Sequence, residues 1–139
     1  MKKYILFVIL ISISVSAKLF SQETKHPIDL YLDSCMEKDM STAGIVKCME
    51  EATKMWDAEL NKYFKLLIKE LDEESVYILK SAETEWLVFR DKEFQNIDNI
   101  YSKLKGTMFI PMKYDTKLEI VRTRALRIKD YYEILKEND

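Results

Sequence analysis

An all-α fold, an antiparallel bundle of three long helices with a short helix before them, follows from three features of the sequence. Apolar residues recur in steps of three and four along most of the chain, the spacing that puts them on one helical face. No stretch of useful length alternates with the two-residue period of a half-buried strand. Two glycines and two prolines in 139 residues leave few interior breaks. The chain has neither an internal repeat nor a low-complexity segment.

The first seventeen residues read MKKYILFVILISISVSA. A basic start at Lys2 and Lys3, an apolar run from Tyr4 to Val15 and the small residues Val15-Ser16-Ala17 have the form of a signal peptide. The run is shorter than the ~20 residues a membrane-spanning helix needs. The expected organisation is a signal peptide over 1–17, a flexible mature N-terminus over 18–26 and one helical domain over 27–137, with cleavage after Ala17 and the alternative of Ser21. No cysteine follows the apolar run closely enough to take a lipid. The expected location is therefore secreted or periplasmic, with no membrane association once the signal is cleaved and a monomer as the product.

The signal carries two lysines and no acid, so its removal takes the chain from 22 to 20 basic residues against 24 acidic ones, a net charge of −4. Nucleic-acid binding wants a basic face and is not expected. An acidic chain suits solubility and a cationic partner.

The helices follow in order. Pro27 can occupy a first turn, where its missing amide proton costs nothing, and Ile28, Leu32 (or Tyr31) and Cys35 mark one side of a helix of about three turns. Ser41 or Thr42 caps the second helix, whose stripe is Ile45, Met49, Ala52, Trp56, Leu60, Tyr63, Leu67 and Leu71. The phase of the stripe jumps at Asp72, a sound N-cap followed by Glu73 and Glu74 where the helix dipole favours anions. A tight turn there separates the second helix from the third. The third helix runs through Leu79, Ala82, Trp86, Phe94, Ile97, Tyr101 and Leu104, with Gly106 as its C′ residue. GTMFIPMKY reads as a loop, Pro111 blocking regular helix, and Asp115 caps a last helix with Leu118, Val121, Ala125, Ile128, Tyr132 and Leu135 on its apolar side.

Cys35 and Cys48 are the two cysteines. An even count in an exported chain reads as a disulfide, which for a loop of this size contributes about 3 kcal/mol in the chain-entropy model. If the chain folds back at Ser41, the two sit at similar depth on facing helices, and the bridge staples a helix too short to be stable alone. A metal site would want more ligands nearby, and His26 lies outside any ligand-like spacing. No metal or cofactor is expected.

Folding back at Asp72 brings Trp56 towards Trp86 and Val88, and Asp57 and Asn61 within about a turn of Arg90. Arg90 occupies a seam position between Trp86 and Phe94. A guanidinium there needs an acceptor, and a carboxylate offers paired hydrogen bonds. Asp57 is the expected partner, with Asn61 filling the remaining capacity and Asp91 pointing elsewhere as surface or end-cap. Such a cluster fixes helix register in most bundles and serves a partner in some.

WDAELNKYF, then LKSAETEWLVFRDKEF, then GTM resemble the family of the lysozyme inhibitor LprI, small exported helical proteins. Its pattern is an early cysteine pair, D-x-x-L-N-x-x-Y, an A-Q-x-x-W-x-x-[FY]-R-D-like stretch, a glycine-containing loop and a final R-x-x-x-L element. These correspond to Cys35 and Cys48; to Asp57, Leu60, Asn61 and Phe64, with Tyr63 one position early; to Ala82, Glu83, Trp86, Phe89, Arg90 and Asp91; to Gly106; and to Arg124 with Ile128. The resemblance spans Cys35 to Ile128. Glu83 stands where the family tends to have glutamine. A second cysteine pair of many members is absent, with Phe94 at one place and no cysteine around Thr116 to Leu118 at the other, and Phe94 is expected to replace that bridge by packing.

The resemblance implies an exported protein that binds a protein partner non-covalently, a lysozyme or related envelope protein. The alternative is a structural or adaptor module of the cell envelope without lysozyme activity, with Tyr131 and Tyr132 as a candidate patch. The candidate contact loop is Gly106, Thr107, Met108, Phe109, Ile110 and Met112, clustered apolar residues where binding residues concentrate; the competing reading folds them down to cap the open end of the bundle. An enzyme is not expected: one histidine, no G-x-S-x-G, no H-E-x-x-H and no glycine-rich phosphate loop leave no catalytic residue to name. Glu83 and Glu85, two apart on a helix, diverge and make no dyad.

Overall fold

The computed structural model describes residues 25–137. Four helices cover them: α1 (Pro27–Lys38), α2 (Thr42–Glu70), α3 (Glu73–Tyr101) and α4 (Phe109–Glu137). There is no strand among the described residues. The predicted signal peptide over 1–17, and most of the predicted 18–26 segment, lie outside the described residues.

Each start has a local cause. Pro27 stands in the first turn of α1, and His26 caps it, its Nδ1 accepting from the Ile28 amide at 3.2 Å. Ser41 accepts from Gly44 N at 3.0 Å to open α2, and Asp72 accepts from Ser75 N at 2.7 Å to open α3. Glycine is required at position 44, because a Cβ there would lie 2.2 Å from Asp39 Cγ and 2.6 Å from the Asp39 carbonyl oxygen. That close approach makes the α1–α2 turn tight, and the Cys35–Cys48 disulfide crosses just beyond it with Cα atoms 5.8 Å apart.

Two boundaries differ from expectation. Helix α3 ends at Tyr101 rather than Leu104, and the turn that follows leaves Leu104 exposed. Gly106 does not cap the helix; with φ +117° it redirects the chain between α3 and α4. Helix α4 begins at Phe109, not after Asp115, so Phe109, Ile110 and Met112 are helical and the loop ends at Met108. Pro111 does not block this helix because it sits in the first turn. There its nitrogen has no intrahelical acceptor to lose, and the carbonyl its ring would crowd lies before the helix.

The core forms chiefly between α2 and α4. Met49, Ala52, Trp56, Leu60 and Leu67 of α2 meet Leu118, Val121, Ala125 and Ile128 of α4, with Ile28 of α1 beside them. Trp56 lies beside Arg122, Tyr63 beside Tyr132, and Glu70 pairs with Lys136 at 3.1 Å. These two helices therefore run in the same direction, and α3 returns antiparallel to both.

Helix α3 is the outlier. It packs mainly on α4 and scarcely on α2, and Ile97 is its one buried residue. Ala82, expected on the stripe, is exposed, whereas Leu79, Trp86 and Phe94 pack at the core margin. Trp56 does not face Trp86 or Val88. Its ring stacks on His26 at a centroid distance of 4.3 Å, with the Arg122 guanidinium 5.5 Å from the ring centre. A single residue step turns ~100° around a helix, so Asp57 can look to α3 while Trp56 looks to α1 and α4. No helix among the described residues is long and apolar enough to cross a membrane.

Candidate functional site

The residues singled out on α3 and α4 converge on the seam between those helices. Glu83, Trp86 and Arg90 recur at steps of three and four, so one face of α3 carries all three. Arg124 of α4 reaches across it, Nε and Nη2 donating to Glu83 Oε2 at 3.0 and 2.7 Å, with both side chains largely buried. The Trp86 ring takes guanidinium groups from both helices, Arg124 at 5.6 Å and Arg90 at 5.5 Å from its centre. Two cations on one indole, with the more buried of them neutralised by a carboxylate, lock the ring in place.

Arg90 has a different set of partners from that expected. Its Nε and Nη2 donate to Asp91 Oδ1 at 3.0 and 2.8 Å. The anticipated Asp57 is also there, with Oδ1 3.6 Å from Arg90 Nη1, an ion pair too long to count as a hydrogen bond. Asp91 thus does not point elsewhere. It shares the guanidinium, because a half-buried arginine at the edge of a loosely packed helix can turn back to its own neighbour. Asn61 joins this cluster through Asp57 rather than through Arg90, donating at 2.7 Å to the Asp57 carbonyl and 3.2 Å to its carboxylate.

Beside this clamp a groove of about 480 Å³ opens between the two helices, lined by Trp86, Phe89, Ile120, Thr123, Arg124 and Arg127 with Glu119. Phe89 is 53% exposed. Arg127 is exposed and forms no ion pair among the described residues. The groove therefore offers a rigid aromatic wall, a guanidinium outside any ion pair among the described residues, and apolar lining. Aromatic and arginine side chains in such a setting carry most of the energy in protein interfaces.

The predicted contact loop lies at one end of the bundle, separate from the groove. Met108, Ile110 and Met112 are exposed there, while Phe109 is half-buried over Gly106. Only Phe109 behaves as a cap on the bundle end. Near it, Lys113 and Lys117 share Asp98, at 3.4 and 2.7 Å, and Lys117 lies over the Phe94 ring at 5.3 Å. Phe94 and Lys117 thus meet where the resemblance puts a second disulfide. Among the described residues no group of His, Cys, Asp and Glu could hold a metal ion.

One partly buried pair had no signal in the sequence. Arg122 Nε and Nη2 donate to Asp29 Oδ1 and Oδ2 at 3.0 and 2.9 Å, joining α4 to α1 across 93 positions of sequence. An acid beside Ile28 in a first turn reads as a response to the helix dipole, and nothing in local spacing points to its partner.

Comparison with known families matches residues 34–127 to the model for lysozyme inhibitor LprI. The chain belongs to the LprI family. The match runs from the residue before the disulfide's first cysteine to Arg127 of α4, taking in the clamp and every residue that lines the groove. A crystal structure of an uncharacterized protein from Burkholderia thailandensis resembles this LprI chain with a TM-score of 0.75 and 27% identity over 80% of the chain. That match covers 55% of the Burkholderia protein, so the LprI chain spans about half its length. Comparison with curated proteins gives no match.

Proposed function

We propose that this chain is an exported protein that binds a lysozyme-type muramidase non-covalently and blocks it, using the α3–α4 groove as its contact surface. Membership of the LprI family supports the class of partner. The observation that carries the choice of surface is Phe89, a half-exposed aromatic of the W-x-x-[FY]-R-D element next to an indole fixed by Arg90 and Arg124. A side chain presented by a rigid neighbour loses little freedom on binding.

Electrostatics favours the same pairing at two ranges. The mature chain is acidic while common lysozymes are cationic, which speeds encounter. At contact, a glycoside hydrolase cleft carries a pair of carboxyl groups, and Arg127, in no ion pair among the described residues, supplies a guanidinium in the groove lining.

The test is inhibition of cell-wall lysis by the purified chain from Lys18 onward, against several lysozyme types, with a Phe89→Ala variant in parallel. Inhibition of one type that falls at least tenfold in the variant supports the reading. Lysis unaffected by the parent chain refutes it. A salt-insensitive complex with an envelope protein, without effect on any lysozyme, would instead support the adaptor function, for which exposed Tyr131 at the far end of α4 is a candidate contact.

A further inference from the structure

We propose that the end of the bundle formed by residues 102–112, with Met40 beside it, is a docking surface for an anionic phospholipid bilayer. Four apolar side chains are exposed there within nine residues: Leu104, Met108 (65% exposed), Ile110 and Met112. Because α2 and α4 run in step, the α1–α2 turn lies at this same end. It adds Met40, 80% exposed. Lys103 and Lys105 flank Leu104 and form no ion pair among the described residues. Lys113 and Lys117 stand behind them on a single carboxylate, Asp98.

Three features favour a bilayer over a protein cleft. The surface is the end of a bundle and presents methionines outward; its recess, lined by Leu104, Phe109 and Ile110, is about 120 Å³, a quarter of the groove's 480 Å³. Flexible methionines dominate it, and these adapt to a disordered apolar medium. The charged side chains of residues 102–112 are both lysines, which sit well at an anionic headgroup layer while their stems and the adjacent apolar residues enter the interface.

The rest of the chain would orient the approach. The opposite end carries Asp72, Glu73 and Glu74 at the start of α3 and Glu137 late in α4, none of them in an ion pair among the described residues, while Glu133 there is paired with Lys129. An anionic surface repels that end and attracts the lysine end, so a chain of net negative charge can still dock in one orientation. Spanning the bilayer is not required, and both signals, apolar insertion and headgroup attraction, are needed because either alone is marginal.

The experiment is co-sedimentation of the chain from Lys18 onward, which contains every described helix, with vesicles of phosphatidylcholine alone or mixed with phosphatidylglycerol. The expected result is binding to the mixed vesicles only, weakened at least tenfold by about 0.5 M salt, where the screening length is roughly 4 Å. The double variant Lys103→Glu/Lys105→Glu and the variant Met108→Ser should each lose it while keeping the helical circular dichroism of the parent. Phe89→Ala should bind vesicles like the parent, which separates this surface from the groove. Absence of vesicle binding by the parent, or binding that survives both end variants, overturns the proposal. So does loss of lysozyme inhibition in the end variants of a parent that does not bind vesicles, because the end would then serve a protein.

Discussion

Arg122 and Asp29 face each other fork to fork, two parallel hydrogen bonds of 3.0 and 2.9 Å, beneath the face of Trp56 that the same guanidinium covers. The pair ties α1 to α4, whereas the disulfide ties α1 to α2. Helix α1 is therefore held at both ends by different chemistry. Asp29→Ala leaves a partly buried guanidinium without its acceptor and should cost about 2 kcal/mol, the scale of a charged hydrogen-bonded pair. Denaturant unfolding checks it; a change below about 0.5 kcal/mol would show that Arg122 finds Glu119, 3.5 Å away, an equal substitute.

The disulfide contributes from the other end of α1. Replacing Cys35 and Cys48 by serine should lower stability by about 3 kcal/mol, through the freedom returned to the unfolded chain. The loss should not stay thermodynamic. A twelve-residue helix is marginal by itself, so α1 should fray first, withdrawing His26 from Trp56. A shift in tryptophan emission before the main melting transition, absent from the oxidised parent, would register that local opening.

At Arg90 two carboxylates share one cation, and neither alone should matter much. Asp57 and Asp91 are both about half exposed, so Asp57→Ala and Asp91→Ala should each cost under ~1 kcal/mol. The double variant leaves Arg90 with no acid and should cost more than the two added together, about 2 kcal/mol. Strict additivity in this double-mutant cycle would mean that the carboxylates do not compensate for each other.

What was legible in the sequence divides along the packing of the helices. The stripes of α2 and α4 could be read because both helices are buried against each other, so Trp56, Leu60, Val121 and Ile128 stand in a full three-four period. The turn at Asp72 was legible from the jump in the stripe's phase together with capping chemistry. Helix α3 was read less well, since it uses a narrow contact and its exposed side still carries Tyr77, Val88 and Phe89; periodicity reports apolar residues, not which of them are covered. The Asp57–Arg90 proximity came from folding two stripes back on one turn, but the competition from Asp91 depends on a rotamer. Pro111 misled because a proline blocks a helix interior yet suits a first turn, and the sequence does not say which turn it is in. The groove's two walls lie some thirty residues apart on different helices, beyond the reach of any local pattern.

Acid should loosen the α3–α4 seam at a particular point. Hydrogen bonding to Lys117, reinforced by Lys113, holds the Asp98 carboxyl below its ordinary value near 3.8. Its folded form therefore binds a proton less readily than its unfolded form. The resulting stabilisation is complete above the unfolded value and disappears as pH falls through the lowered folded one. Asp98→Asn should reduce stability at neutral pH and narrow its gap from the parent below pH ~4. A gap that stays constant down to pH ~2 would assign the loss to packing instead of charge.

Phe89 and Trp86 are three residues apart on α3 and should respond oppositely to truncation. Trp86 is packed at the core margin and gripped by Arg90 and Arg124, so Trp86→Ala should destabilise the chain by about 2 kcal/mol and release both guanidinium groups. Phe89 is more than half exposed, so Phe89→Ala should stay within about 0.5 kcal/mol of the parent. If the groove is where a partner sits, the stable variant is the one that loses affinity, by tenfold or more, as expected for an aromatic anchor. Titration of both variants against an inhibited lysozyme, beside their melting curves, separates the two roles. A Phe89→Ala protein that melts and binds like the parent would leave its exposed ring without a part in recognition, and the contact surface would have to be sought on another face of the bundle.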